Sequence, residues 1–317
     1  RDWMMRATAS KGGSLGPAVA LGESPDVSPL LEHPGLALTL PALGPDSELA
    51  NELAIARTIQ QSLLPKSFPT LPGFGLAGFC QSAREIGGDF YDAMLLGEGS
   101  LLLVVADVMG KGVPAALFAA SLRMLIRSMA ERASSPAELL QRINRQLYPE
   151  LSSVDMFITA QLVLADTRRG VLEIASAGHC PFLLTDSLGQ IQAVAPPGLP
   201  LGIQQTAAFE QEEISLEDCR CALVYTDGLT ESSDTRGNLF GLERLETWLA
   251  GTAERKQTAT QLRDEFLDGL ARFQAGTTPR DDLTLIILAR DPSSAVANLA
   301  HQKARPSGQG TEIFLAG

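Results

Sequence analysis

Residues 86–112 read IGGDFYDAMLLGEGSLLLVVADVMGKG. The hexamer 101–106, LLLVVA, is as apolar as any in the chain, and it runs straight into Asp107. A short, strongly apolar run reads as a buried strand. Asp89 lies eighteen residues earlier, between Gly87-Gly88 and Phe90-Tyr91, and opens a strand of its own. A carboxylate carried to the end of a buried strand is partly desolvated. Left unpaired, it costs several kcal/mol or takes up a proton.

The same placement recurs further along. CALVYT (221–226) ends on Asp227-Gly-Leu-Thr-Glu231, and the last strand-like run follows directly on Asp281-Asp282. Three compensations are open for these aspartates. Each can cap a helix or turn, as Asp227-Gly228 allows. Each can pair with a base, although Lys111 and Arg84 are the nearest in sequence. Or the carboxylates can share divalent cations. All-oxygen ligands with no His or Cys select hard ions, Mg²⁺ or Mn²⁺ rather than Zn²⁺. Gly87, Gly88, Gly110, Gly112 and Gly228 flank these positions and let the backbone turn tightly or approach an ion or phosphate. Taken together, the pattern favours shared cations over four independent caps.

The rest of the chain supplies the frame. Strands are expected at 74–81, 88–95, 101–106, 156–165, 171–177, 180–185, 220–226 and 282–289, with a hairpin at 166–170. Helices are expected at 46–64, 113–130, 136–147, near 240–250 and at 257–273. Strands, two helices, more strands, two helices and a last strand lack strict βα alternation, so an α+β layered domain is expected. Asp46 or Ser47 suits the start of the first helix and Pro65 its end. Leu49, Leu53, Ala56 and Leu63 fall on a heptad seam with Gln60 as its polar member. Fewer than three heptads leave two readings open, a helix packed on its own domain or a parallel dimer linker. The expected organisation is a linker or the end of an upstream region without fixed structure at 1–45, a linker helix at 46–66, one domain at 67–290 and a loose tail at 291–317.

Composition narrows the function. With 317 residues, 45% apolar and 20% charged, the chain is globular in type. A net charge of −12 argues against nucleic-acid or anionic-membrane partners. Cys80, Cys180, Cys219 and Cys221 form no CxxC pair and read as reduced thiols of a cytoplasmic protein. No apolar run of about 18 residues and no signal peptide is read from the sequence, so no membrane span is expected. The missing initiator Met suggests part of a longer chain. No cysteine has an arginine six residues on, and GxxxxGK, HExxH and DxD are absent.

Five stretches in order, 83–92 (AREIGGDFYD), 106–112 (ADVMGKG), 177–179 (AGH), 225–231 (YTDGLTE) and 280–284 (RDDLT), resemble the motif set of the SpoIIE/RsbU-type serine phosphatases. These are a bacterial branch of the metal-dependent PPM (type 2C) protein phosphatases. Residues 56–65, ARTIQQSLLP, resemble the lead-in helix of the same branch, so the likeness covers about 50–290. The resemblance implies an α-β-β-α sandwich of two antiparallel sheets flanked by helix pairs. It implies two Mn²⁺ or Mg²⁺ ions held by Asp89, Asp107, the carbonyl of Val108, Asp227 and Asp281, with Asp282 the alternative to Asp281. Arg84 would contact the substrate phosphate. Chemistry would proceed by in-line attack of a metal-bridging hydroxide on phosphoserine. The implied substrate is a phosphorylated anti-sigma-factor antagonist in a partner-switching pathway, with an upstream sensor domain or activator. A metal-free binding or scaffold module of the same fold is the alternative. His179 reads as a structural loop histidine, Cys180 departs from the branch's usual Asn, and Asp92 reads as a supporting or surface charge.

Overall fold

The computed structural model describes residues 45–292, with side chains from residue 48. The expected segment 1–45 and most of 291–317 lie outside the described residues, as do the side chains of Asp46 and Ser47. Helix α1 spans Pro45–Leu63. The strands are β1 (Phe74–Gln81), β2 (Phe90–Gly97), β3 (Ser100–Val108), β4 (Ile158–Asp166), β5 (Val171–Ala177), β6 (Phe182–Thr185), β7 (Ile191–Val194), β8 (Gln211–Ser215), β9 (Cys221–Tyr225) and β10 (Leu283–Arg290). The remaining helices are α2 (Val113–Met129), α3 (Pro136–Ser153), α4 (Asp227–Thr230), α5 (Gly241–Ala250) and α6 (Ala259–Gln274).

Two five-stranded antiparallel sheets result, ordered β1-β10-β9-β6-β7 and β2-β3-β4-β5-β8. Strand periodicity divides the core. Leu102, Val104, Ala106 and Val108 turn outward to meet Ala115, Leu122 and Ile126 of α2 and Leu140, Ile143 and Leu147 of α3. Leu101, Leu103 and Val105 turn inward to meet Phe182, Val224, Ile286 and Leu288 of the other sheet. A third cluster joins that sheet's outer face to α5 and α6 through Leu223, Leu285, Leu245, Leu262 and Phe266. The layers are helix, sheet, sheet, helix, as expected. Every residue of the LLLVVA strand is at most 1% exposed, which is why it carries no polar alternation.

Several boundaries differ from the sequence reading. Helix α3 continues past residue 147 to Ser153 with Pro149 inside it, because Leu147 and Leu151 both bury against the sheet. β7 and β8 were not expected. Both edge their sheets, and their mostly exposed IQAV and QEEIS lack an apolar face to read. One helical stretch among the described residues, Val113–Arg132, is long and apolar enough to cross a membrane by length and composition. Here it packs on a sheet through Ala115, Ala119, Leu122 and Ile126. All four cysteines are free thiols.

Candidate metal centre

The inward parity of β3 continues from Leu101, Leu103 and Val105 to Asp107, and that of β2 runs back from Ala93 and Tyr91 to Asp89. Both carboxyls therefore open into the space between the sheets, at one end of it. The opposite sheet delivers its own acids to the same end. Asp227 begins α4 immediately after β9, and Asp281-Asp282 precede β10.

The electrostatics show how close these groups stand. Burial, then the charge of Asp107, raises the Asp89 carboxyl well above the usual carboxylate range. Burial, then Asp227 and Asp281, pushes Asp107 up to about 7. Burial and Asp281 raise Asp227, and burial followed by Asp227 and Asp281 raises Glu231. Cys180 lies near enough to feel Asp227, Asp107 and Asp89, and burial with those charges pushes its thiol up to about 12. Against this stands little positive charge. Lys111 Nζ pairs with Asp281 Oδ1 at 2.8 Å, also donates to the Arg280 carbonyl, and favours ionised Asp227 and Glu231.

Asp281 and Asp282 have different duties. Asp282 is 5% exposed, and its Oδ1 accepts from Ala83 N at 2.7 Å. Its Oδ2 accepts from Gly88 N at 2.8 Å and Asp89 N at 3.4 Å. It thus ties the 83–89 loop, which leads into β2, to the residue just before β10 of the other sheet. The glycines around it are sterically required. A Cβ on Gly87 would lie 2.0 Å from Asp282 Oδ2, one on Gly228 2.0 Å from the Asp282 carbonyl oxygen, and one on Gly88 2.6 Å from the Val108 carbonyl oxygen. Asp281 instead faces the acids and Lys111.

Further contacts orient the site. Thr226 Oγ1 donates to Asp89 Oδ2 at 2.7 Å across the gap. Gln60 Nε2 donates to the Gly87 carbonyl at 2.7 Å, and Gln60 Oε1 accepts from Gly87 N at 3.2 Å. A polar residue on an otherwise apolar seam was the sequence signal for this contact. Asp92 is not a surface charge. It is fully buried on the opposite face of β2, where its carboxylate takes two hydrogen bonds of 2.7 Å from Arg127 and an ion pair of 3.0 Å from Arg123, both on α2. His179 is buried, and its Nδ1 lies 2.8 Å from Thr159 Oγ1. Arg84 is exposed and makes no ion pair among the described residues.

The side chains gather without closing into a coordination shell. Among the described residues no group of three or more His, Cys, Asp or Glu is drawn together tightly enough to hold an ion as it stands. Asp107 stands within side-chain hydrogen-bonding reach of Asp89, Asp281 turns to Lys111, and Asp282 is committed to backbone N–H groups. The donor set still fits a hard divalent cation, since it is built of crowded carboxylates, Asp89 buried and Asp107, Asp227 and Asp281 half-buried, with little positive charge beside them.

Comparison with known proteins gives the family. The model of the family described as Stage II sporulation protein E (SpoIIE) matches residues 97–291, more than half of the chain. The chain belongs to the SpoIIE family. This SpoIIE-family domain is 28% identical over 248 residues to phosphoserine phosphatase RsbU of Bacillus subtilis, covering 78% of the chain and 72% of RsbU. It is 27% identical over 266 residues to protein IcfG of Synechocystis sp., covering 76% of the chain but only 42% of IcfG. The SiaA-PP2C domain of Pseudomonas aeruginosa superposes with a TM-score of 0.68 at 25% identity, covering 78% of this chain and 98% of that one. By family and fold the chain is a SpoIIE-family domain similar to the RsbU-type PPM phosphatases, and it spans under half the length of IcfG.

Proposed function

We propose that the domain hydrolyses phosphoserine on a regulatory protein and that Asp89, Asp107, the Val108 carbonyl, Asp227 and Asp281 hold two Mn²⁺ or Mg²⁺ ions. The observation carrying this reading is the mutual strain among the carboxylates. Asp89 and Asp107 come from one sheet, Asp227 and Asp281 from the other, and among the described residues Lys111 alone is ion-paired with them. Divalent cations joining the set would offset its crowding and favour the ionised carboxylates. Bound there, divalent ions supply a hydroxide near neutral pH and offset charge on the phosphoryl oxygens.

The chain's own residues do the positioning. Thr226 fixes the Asp89 carboxyl and Asp282 fixes the loop that carries it. Asp281 is the better ligand of the adjacent pair, because both oxygens of Asp282 already accept backbone hydrogen bonds. Arg84, exposed and without an ion pair among the described residues, can lay its planar fork on phosphate oxygens. A phosphorylated anti-sigma-factor antagonist is the substrate class this reading favours, supported by the likeness to RsbU, a phosphoserine phosphatase. Pairing of α1 across two copies, under an upstream sensor or activator, belongs to the same reading. Leu49, Ile55 and Ile59 on that helix remain exposed.

The test is phosphate release from p-nitrophenyl phosphate and from a phosphoserine peptide, with Mn²⁺ and with chelator. Turnover that needs Mn²⁺ and disappears in Asp107→Asn supports the proposal. Silence on every phosphate supports a binding module that keeps the fold without the reaction.

A further inference from the structure

Lys111 is the one base ion-paired, among the described residues, to any of Asp89, Asp107, Asp227, Asp281 and Asp282. Its tether is unusual. Gly110 and Gly112 flank it with φ of 92° and 80°, and a Cβ on either would meet nothing within 4 Å. Backbone conformation, not crowding, calls for glycine there, so the Gly-Lys-Gly segment is a short unpacked link between β3 and α2. The ammonium at its tip crosses from the sheet of Asp107 to the sheet of Asp281 and also engages the Arg280 carbonyl. Its pair with Asp281 is partly solvated, the side chains being 27% and 39% exposed.

We infer that Lys111 is a tethered cation that occupies Asp281 in the ion-free protein and must be displaced before a divalent ion can use that carboxylate. This rests on the metal-dependent reading above. A carboxylate oxygen 2.8 Å from an ammonium offers less negative potential to a second cation, and the ammonium repels that cation directly. Displacement frees the Gly110–Gly112 link, so ion entry is felt at the first turn of α2. The arrangement also accounts for carboxylates that gather without forming a coordination shell.

Calorimetric titration of the full chain with MnCl₂ tests this without any turnover. Lys111→Met and Lys111→Gln are expected to bind Mn²⁺ about three- to fivefold tighter than wild type, the range of a partly exposed ion pair. Lys111→Arg keeps the pair and should stay within about twofold of wild type. Arg280→Met removes equal charge from the residue beside Asp281 without touching the pair, and should shift affinity less than Lys111→Met. Unchanged or weaker binding in both neutral Lys111 variants overturns the inference and leaves the metal site standing. Equal tightening by Arg280→Met overturns it too, since charge alone would then explain the effect. Absence of Mn²⁺ binding in wild type and variants alike removes the metal reading and this inference together.

Discussion

Gln60 and Gly87 are joined at two points, carboxamide nitrogen to carbonyl at 2.7 Å and carboxamide oxygen to N–H at 3.2 Å. The contact links α1 to the loop that delivers Asp89. Gln60→Ala leaves a part-buried backbone N–H and C=O without partners, a loss of about 1–3 kcal/mol. The expected outcome is a melting temperature lower by several degrees and Mn²⁺-dependent phosphate release lower by about tenfold, the equivalent of 1.4 kcal/mol. Unaltered release in Gln60→Ala would show that α1 does not set the position of Asp89.

Asp281 and Asp282 are adjacent yet should fail differently. Asp282→Asn turns a carboxamide N–H toward backbone donors that need an acceptor. Charge-assisted hydrogen bonds of this kind contribute about 1.5–3 kcal/mol each, so the melt should drop even without ions. Asp281→Asn removes one member of a repelling set, so the ion-free melt should hold or rise while Mn²⁺ affinity falls. Paired thermal melts and calorimetry separate the two; the opposite assignment of effects would make Asp282 the ligand.

Asp92 should be a stability residue. Asp92→Ala strands Arg123, whose side chain is 12% exposed, beside a half-exposed Arg127. Breaking a fully buried pair costs about 3–5 kcal/mol, and the solvation of Arg127 places this site near the lower end. Urea unfolding should show that loss as a lower midpoint with an unchanged slope. A loss under about 0.5 kcal/mol would mean that the clamp of β2 on α2 is dispensable.

His179 should stay neutral well into acid. Burial lowers its pKa to about 4, with the Tyr225 backbone pulling weakly the other way. The unfolded chain takes up this proton near pH 6.5. Stability from the neutral folded ring is therefore complete above pH 6.5 and is lost as pH falls from there through about 4. The total is on the order of 3 kcal/mol. NMR titration of the ring reads the folded pKa directly, and His179→Gln should flatten that part of the stability profile. A ring titrating near 6.5 in the folded protein would contradict the burial argument.

The layered fold was legible because its cause is local. LLLVVA can only be buried on both faces, and the Asp166–Gly170 turn can only be a hairpin between β4 and β5. The convergence of aspartates at one end followed from their places at strand ends. What holds them there was not legible, since it depends on partners far away in the chain. Asp282 reaches Gly88 across 194 positions and Lys111 reaches the Arg280 carbonyl across 169. Asp92 was left between a supporting and a surface charge for a related reason. Position within a strand reveals the face, but only the fold shows that two arginines of α2 lie above that face.

Each half of the acidic cluster hangs from a different sheet, and the bonds from Thr226 to Asp89, Asp282 to Gly88 and Lys111 to Asp281 all bridge the two. The cluster is therefore a seam between layers as much as a pocket, and the spacing of its carboxylates gauges how the sheets sit on one another. A substitution deep between the sheets, at Val224 or Ile286 for instance, need not touch an aspartate to detune the grip on an ion. An ion spanning the seam would in turn lock the layers together and resist their parting on heating.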